Sequence, residues 1–220
     1  MEFVFYKAYI LNRIIIITLL QLVNSYCYSQ KIIERDFDAT LINNIEINSD
    51  IINSVLIYSE NTNHIKIIAK IEGENYENVV LSMVEKDNIL FLKPDYTPFF
   101  EAENDKLAAH KVQSIELEII VPEDIDISIS SMMASVATKG KFKVLKAFLG
   151  NGNCNLQEFV GNAYLKTKTG SIKVSTKENI FGNAISKNGI VINQLSENKN
   201  SKYTIIAETN MGEISLFQIH

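Results

Sequence analysis

Tryptophan is absent from the 220 residues, and there are only three prolines, three histidines, two cysteines and two arginines, Arg13 and Arg35. So few thiols and imidazoles leave no material for a disulfide framework or a Cys/His zinc site. The 21 basic residues face 26 acidic ones, a net charge of -5, so the clustered cations that a nucleic-acid backbone demands are missing. His64, His110 and His220 show no HxH or HxxxH spacing. No EF-hand loop and no Gly-Gly-x-Gly-x-Asp nonapeptide occurs, and neither a metal nor an organic cofactor is implied. What is abundant is apolar: hydrophobic residues make up 46% of the chain, enough for a real core.

Residues 1–29 read as an export signal. Lys7 and Arg13 precede an apolar run of about ten residues, 14–23, the length of a signal h-region and short of the roughly 20 needed to span a bilayer. Cys27-Tyr28-Ser29 places small side chains at the -3 and -1 positions of a cleavage site, so the mature chain is expected to start at Gln30. Cys27 lacks the small preceding residue of a lipobox. Cys154 is then the one remaining thiol, and an exported chain with one thiol cannot form an internal disulfide. The expected location is the periplasm or outer surface of a bacterium, with membrane contact only through an uncleaved leader.

From Lys31 onward helical periodicity gives way to period two. Residues 45–47, 55–58, 65–71, 79–84, 89–92, 115–121 and 125–130 are Ile/Val-rich runs parted by Asn, Asp, Gly and Glu clusters, the pattern of strands. A short helix is expected within 101–110. The second half adds a recurring unit of a small residue followed by alternation, starting at Ala134, Gly152, Gly170, Gly189 and Gly212, at spacings of 18, 18, 19 and 23. At roughly 3.3 Å per residue, about 20 residues make a loop of three short sides that pairs with the next loop about 4.8 Å away. The third residues of the units, Val136, Cys154, Ile172, Val191 and Ile214, would then stack inward, with Ser135, Asn153, Ser171 and Glu213 outward and the glycines at corners. The expected fold is all-β: N-terminal strands over 30–124, then a right-handed parallel β-helix or solenoid over 125–220, forming one continuous domain.

The chain resembles the bacterial putative adhesin family on Ile119-Ile120-Val121-Pro122 leading into 125–130, on Thr167-Lys168-Thr169-Gly170-Ser171-Ile172-Lys173-Val174, and on Thr209-Asn210-Met211-Gly212-Glu213-Ile214-Ser215-Leu216. It departs from that pattern at Ala134 and at Asn151-Gly152-Asn153. The resemblance implies an exported β-solenoid with an adhesive or structural role.

No catalytic residue stands out. Cys154 occupies an inward position, and the acidic pairs Asp124/Asp126 and Glu116/Glu118 show the alternation of any half-exposed strand. Two patches are candidates for partner contact. Tyr96, Phe99 and Phe100 gather on a proline-flanked loop, either as a sugar-stacking or protein anchor or as a cap over the end of the core. Ile190 and Ile192 are apolar where the other units are polar, either facing outward or packing on 202–206. The function expected is a non-catalytic, adhesin-like envelope module that binds a protein or polysaccharide. A small polysaccharide-acting enzyme on the same scaffold is the alternative, and an envelope-stress signalling partner a third reading.

Overall fold

The computed structural model describes Arg13 and residues 30–73, 76–100, 114–198 and 200–219. The expected signal segment, Arg13 aside, and the expected helix within 101–110 lie outside the described residues. The chain divides into two compact units, 1–30 and 31–220, and the second carries the sheet.

The protein is all-β. Among the described residues fifteen strands join in one sheet, and apart from Arg13 the helical element is a single 3-10 turn, Tyr76–Asn78. The strands fall into two ladders that share two long members, β9 (Ser135–Leu149) and β10 (Cys154–Thr169). The first ladder runs β1 (Gln30–Asp38), β4 (His64–Glu72), β7 (Ser114–Pro122), β3 (Ser54–Glu60), β9, β10, β11 (Ile172–Thr176), β15 (Ile214–Gln218), β13 (Val191–Asn193). The second runs β5 (Val79–Lys86), β6 (Ile89–Tyr96), β2 (Asn44–Asn48), β8 (Asp126–Ser131), β9, β10, β14 (Tyr203–Met211), β12 (Ile180–Asn188). From β7 to β13 and from β6 to β12 every pairing is parallel; the antiparallel pairs β4–β7 and β5–β6 close the other end.

Each long strand serves both ladders by bending. β9 pairs β3 through Ser135 to Lys139 and β8 through Val144 to Leu149, and β10 bends between Gln157 and Asn162. Gly140 and Gly161 sit at the bends with φ of 114° and 135°, a region closed to most side chains. Phe142 and Phe159 fill the inside of this corner, fully buried, with stacked rings 5.8 Å apart. Burying each ring is worth about 1.5–3 kcal/mol and their contact about 1 kcal/mol more. A turn of the chain thus has two sides, not the three that residue spacing suggested.

The five residues aligned by spacing are register partners. Val136 pairs Cys154, Cys154 pairs Ile172, Ile172 pairs Ile214 and Ile214 pairs Val191, while Val55 and Leu117 extend the row on the other side. All but Val191 are fully buried; Val191 is 39% exposed because no described strand lies beyond β13. The row does not follow chain order, since β14–β15 is inserted between β10–β11 and β12–β13. The 23-residue interval before Gly212 holds the segment that makes this possible: Ser196 exchanges hydrogen bonds with Ile180 and Gly182 at the edge of β12 before the chain returns to the vacant position.

The corner glycines stack in the same spatial order. A β-carbon on Gly152 would overlap the carbonyl oxygen of Ala134, one on Gly170 that of Gly152, one on Gly212 that of Gly170, and one on Gly189 that of Gly212. Hydroxyls, two buried and one half-buried, satisfy three of these carbonyls. Thr167 donates to Gly152 O at 3.0 Å, Thr209 to Gly170 O at 3.1 Å and Ser186 to Gly212 O at 2.9 Å.

Candidate functional site

The alternation that buries one face of the second ladder turns the other to solvent. There Lys146 pairs Tyr164, which pairs Ile206, and Phe148 pairs Lys166, which pairs Glu208. Phe148 is 46% exposed and Tyr164 42% exposed, so two aromatic side chains stand diagonally on one flat surface between two lysines. With Val144, Ile206 and Ser128 they line an open groove of about 770 Å³. The groove continues past Phe148 and Lys166 into a second depression of about 510 Å³, bordered by Met132, Lys168 and Asn210. Lys166 meets Glu208 at 3.1 Å; among the described residues Lys146 has no ion-pair partner.

Beside Lys146 a recess of about 140 Å³ is lined by Asn44, Glu46 and Asp126. Asn44 Oδ1 and Asp126 Oδ1 are buried there with no protein donor, while Asp126 Oδ2 meets Lys143 at 3.4 Å. Among the described residues no three His, Cys, Asp or Glu side chains are grouped to hold a metal ion.

The aromatic loop is divided in its behaviour. Phe100 N donates to Thr97 O at 3.1 Å, closing a turn with Pro98 second and Phe99 third, as in a type II turn. Phe99 has φ of 68°, where glycine or asparagine is usual, and is fully exposed (103%), so it covers no core. Phe100 is half-buried and stacks on Tyr96 at 5.0 Å. Ile190 and Ile192 face outward at the bare end of the first ladder, and 203–206 pair with β12 instead of covering them.

The residues weighed for chemistry are dispersed. Burial pushes the Cys154 thiol up to about 12, which keeps it protonated and inert at neutral pH. Asp124 lies in the turn before β8, not on the strand face of Asp126, and meets Lys141 at 2.6 Å. That contact raises the Lys141 ammonium above its ordinary range. Glu118 meets Lys70 at 3.8 Å, and His64 meets Asp36 at 3.1 Å.

Neither Phe148 nor Tyr164 was singled out from sequence, although the signal was present. They sit 16 apart, and the 18-residue spacing that aligns Val136 with Cys154 also sets Tyr164 beside Lys146 and Lys166 beside Phe148.

The fold is that of an all-β protein of two ladders joined by bent strands. No protein-family model matches the chain, and no curated protein does. Among solved structures, a putative cell adhesion protein from Clostridium sporogenes superposes with a TM-score of 0.61 at 17% identity, over 86% of this chain and all of that one. A putative adhesin from Bacteroides fragilis is more distant, with a TM-score of 0.38 at 14% identity over 85% of this chain and 97% of that one. The first likeness establishes a shared fold.

Proposed function

We propose that the protein is a non-catalytic, adhesin-like binding module, exported to the bacterial cell envelope, in which a parallel solenoid presents the outer face of its second ladder to a ligand. The observation that carries this reading is the groove holding Phe148 and Tyr164. Two aromatic side chains stand there with nearly half of their surface in water, on a surface built of rigid paired strands. The adhesive description of the Clostridium sporogenes structure points the same way. Asp124, Asp126 and Glu118 each meet a lysine, which favours binding over the acid–base chemistry of a polysaccharide-cleaving enzyme. Tyr96, Phe99 and Phe100, and Ile190 with Ile192, are secondary contacts in this proposal.

The test is attachment of labelled protein to surfaces coated with bacterial envelope polysaccharide or with matrix protein. Capture that falls at least about tenfold in the Phe148→Ser, Tyr164→Ser double variant, at unchanged Tm, supports the reading. Capture unaffected by the pair, or release of new reducing ends from the polysaccharide, overturns it.

A further inference from the structure

Resting on the reading of that face as a binding surface, we infer that its ligand is an anionic polysaccharide, whose sugar rings lie on Phe148 and Tyr164 while its carboxylate or sulfate groups meet Lys146, Lys166 and Lys168. The chain as a whole is acidic, yet the groove gathers three lysines. Glu208 offsets Lys166, and Asp50, which accepts from the Met132 N–H at 2.8 Å, is the one acidic residue lining the second depression. Lys146 keeps its charge without a partner among the described residues. Its acidic neighbours across the small recess are Glu46 and Asp126, and Lys143 already meets Asp126.

Ladder geometry sets the spacing. Lys166 and Lys168 are two residues apart on β10, about 6.6 Å, and Lys146 lies one strand over, about 4.8 Å, and two residues back. The three charges form an oblique line that crosses the aromatic pair, so a linear polymer following the groove meets ring faces and cations by turns. Asn210, Ser130 and Asn48 supply donors and acceptors for hydroxyl groups along the second depression. A polysaccharide fits better than an acidic peptide, because every strand under the groove has ladder partners on both sides. No backbone edge is offered to which an extended peptide could add.

The experiment is calorimetric titration of the full protein at low ionic strength with polygalacturonate, with dextran sulfate and with neutral dextran. The expected result is at least about tenfold tighter binding of an acidic polymer than of dextran, weakening as salt is raised. Lys146→Glu should reduce that affinity about tenfold and the Phe148→Ser, Tyr164→Ser pair should abolish it. Lys173→Glu, on the exposed face of the first ladder, should leave it unchanged. Equal affinity for neutral dextran, equal losses at Lys146 and Lys173, or no binding of either acidic polymer would each overturn the inference. In those cases, capture in the attachment assay that still depends on Phe148 and Tyr164 leaves the binding face standing with a different ligand.

Discussion

Alanine at Gly152 tests the stacked corners directly. The added β-carbon would overlap the Ala134 carbonyl oxygen, a backbone atom that cannot swing aside. It is held by its neighbours: Val136 N donates to Asn153 O at 2.8 Å and Asn151 N to Met132 O at 2.8 Å, one on either flank. Relief requires the two chains to separate and to weaken both bonds, each worth about 1 kcal/mol net, on top of about 1–3 kcal/mol for overpacking. The smaller unfolded-state entropy of alanine returns about 0.4–1 kcal/mol. Gly152→Ala should therefore cost about 2–4 kcal/mol, or about 4–16 °C in Tm for a chain of this size. Gly189 provides the control. Its β-carbon would overlap Gly212 O just as closely, but β13 is a three-residue strand at the bare end of the ladder and is free to shift. Gly189→Ala should cost under about 1 kcal/mol. Urea unfolding of both variants measures the difference, and equal costs, or a neutral Gly152→Ala, would refute the stacking argument.

Phe99→Gly should leave stability unchanged or raise it by up to about 1 kcal/mol, since it relieves a positive φ and removes no contact; a loss above about 1 kcal/mol would show that Phe99 packs as a cap. Thr167→Val should cost about 1–2 kcal/mol in chemical denaturation by stripping Gly152 O of its buried donor, and no loss would mean that the hydroxyl is dispensable at the corner. The Cys154 thiol stays neutral in the folded chain to about pH 12 but ionises near 9 when unfolded, so unfolding releases a proton above pH 9 and stability falls with rising pH. Relative to Cys154→Ala, the wild type should lose about 1.4 kcal/mol per pH unit between about 9 and 11, and parallel pH profiles of the two proteins would contradict a buried thiol. In native-state hydrogen exchange the amides of Val191 and Asn193 should exchange well before those of Ile214 and Leu216, because β15 lies inside the stack and β13 at its end; similar rates would be inconsistent with that order.

Much of the fold was legible because period two and small corner residues are strong local signals. The alternation over 125–130 becomes β8, and the units at Ala134, Gly152, Gly170 and Gly212 each lead into a buried register partner. The number of sides per turn was not legible, because length alone does not reveal that β9 and β10 each bend once. The marks of those bends, Gly140 beside Phe142 and Phe159 beside Gly161, are scattered across four positions with no fixed spacing. The candidate groove was missed for a related reason. Core residues announce themselves by what they share, whereas Lys146, Phe148, Tyr164 and Lys166 matter by what stands next to them across the ladder.

The order of the strands was hidden for a deeper reason. The units present similar interfaces to either neighbour: an apolar residue in the shared row, in four of the five a glycine that admits a carbonyl, and in three a hydroxyl that satisfies one. Units of that kind are interchangeable locally, so pattern fixes register without fixing sequence of stacking. What distinguishes the unit at Gly189 is its surplus of apolar side chains. Ile190 and Ile192 stand where Asn153 and Asn155, or Ser171 and Lys173, stand in inner units, and its hydroxyl is Ser186 in place of threonine. The unit at Gly212 carries Glu213 and Ser215 at those positions, joined at 2.6 Å, and matches the polar outer rows of the units at Gly152 and Gly170 on one side. Inserting it between β11 and β13 keeps those polar rows contiguous and sends the apolar unit to the end, which is the arrangement the sheet adopts.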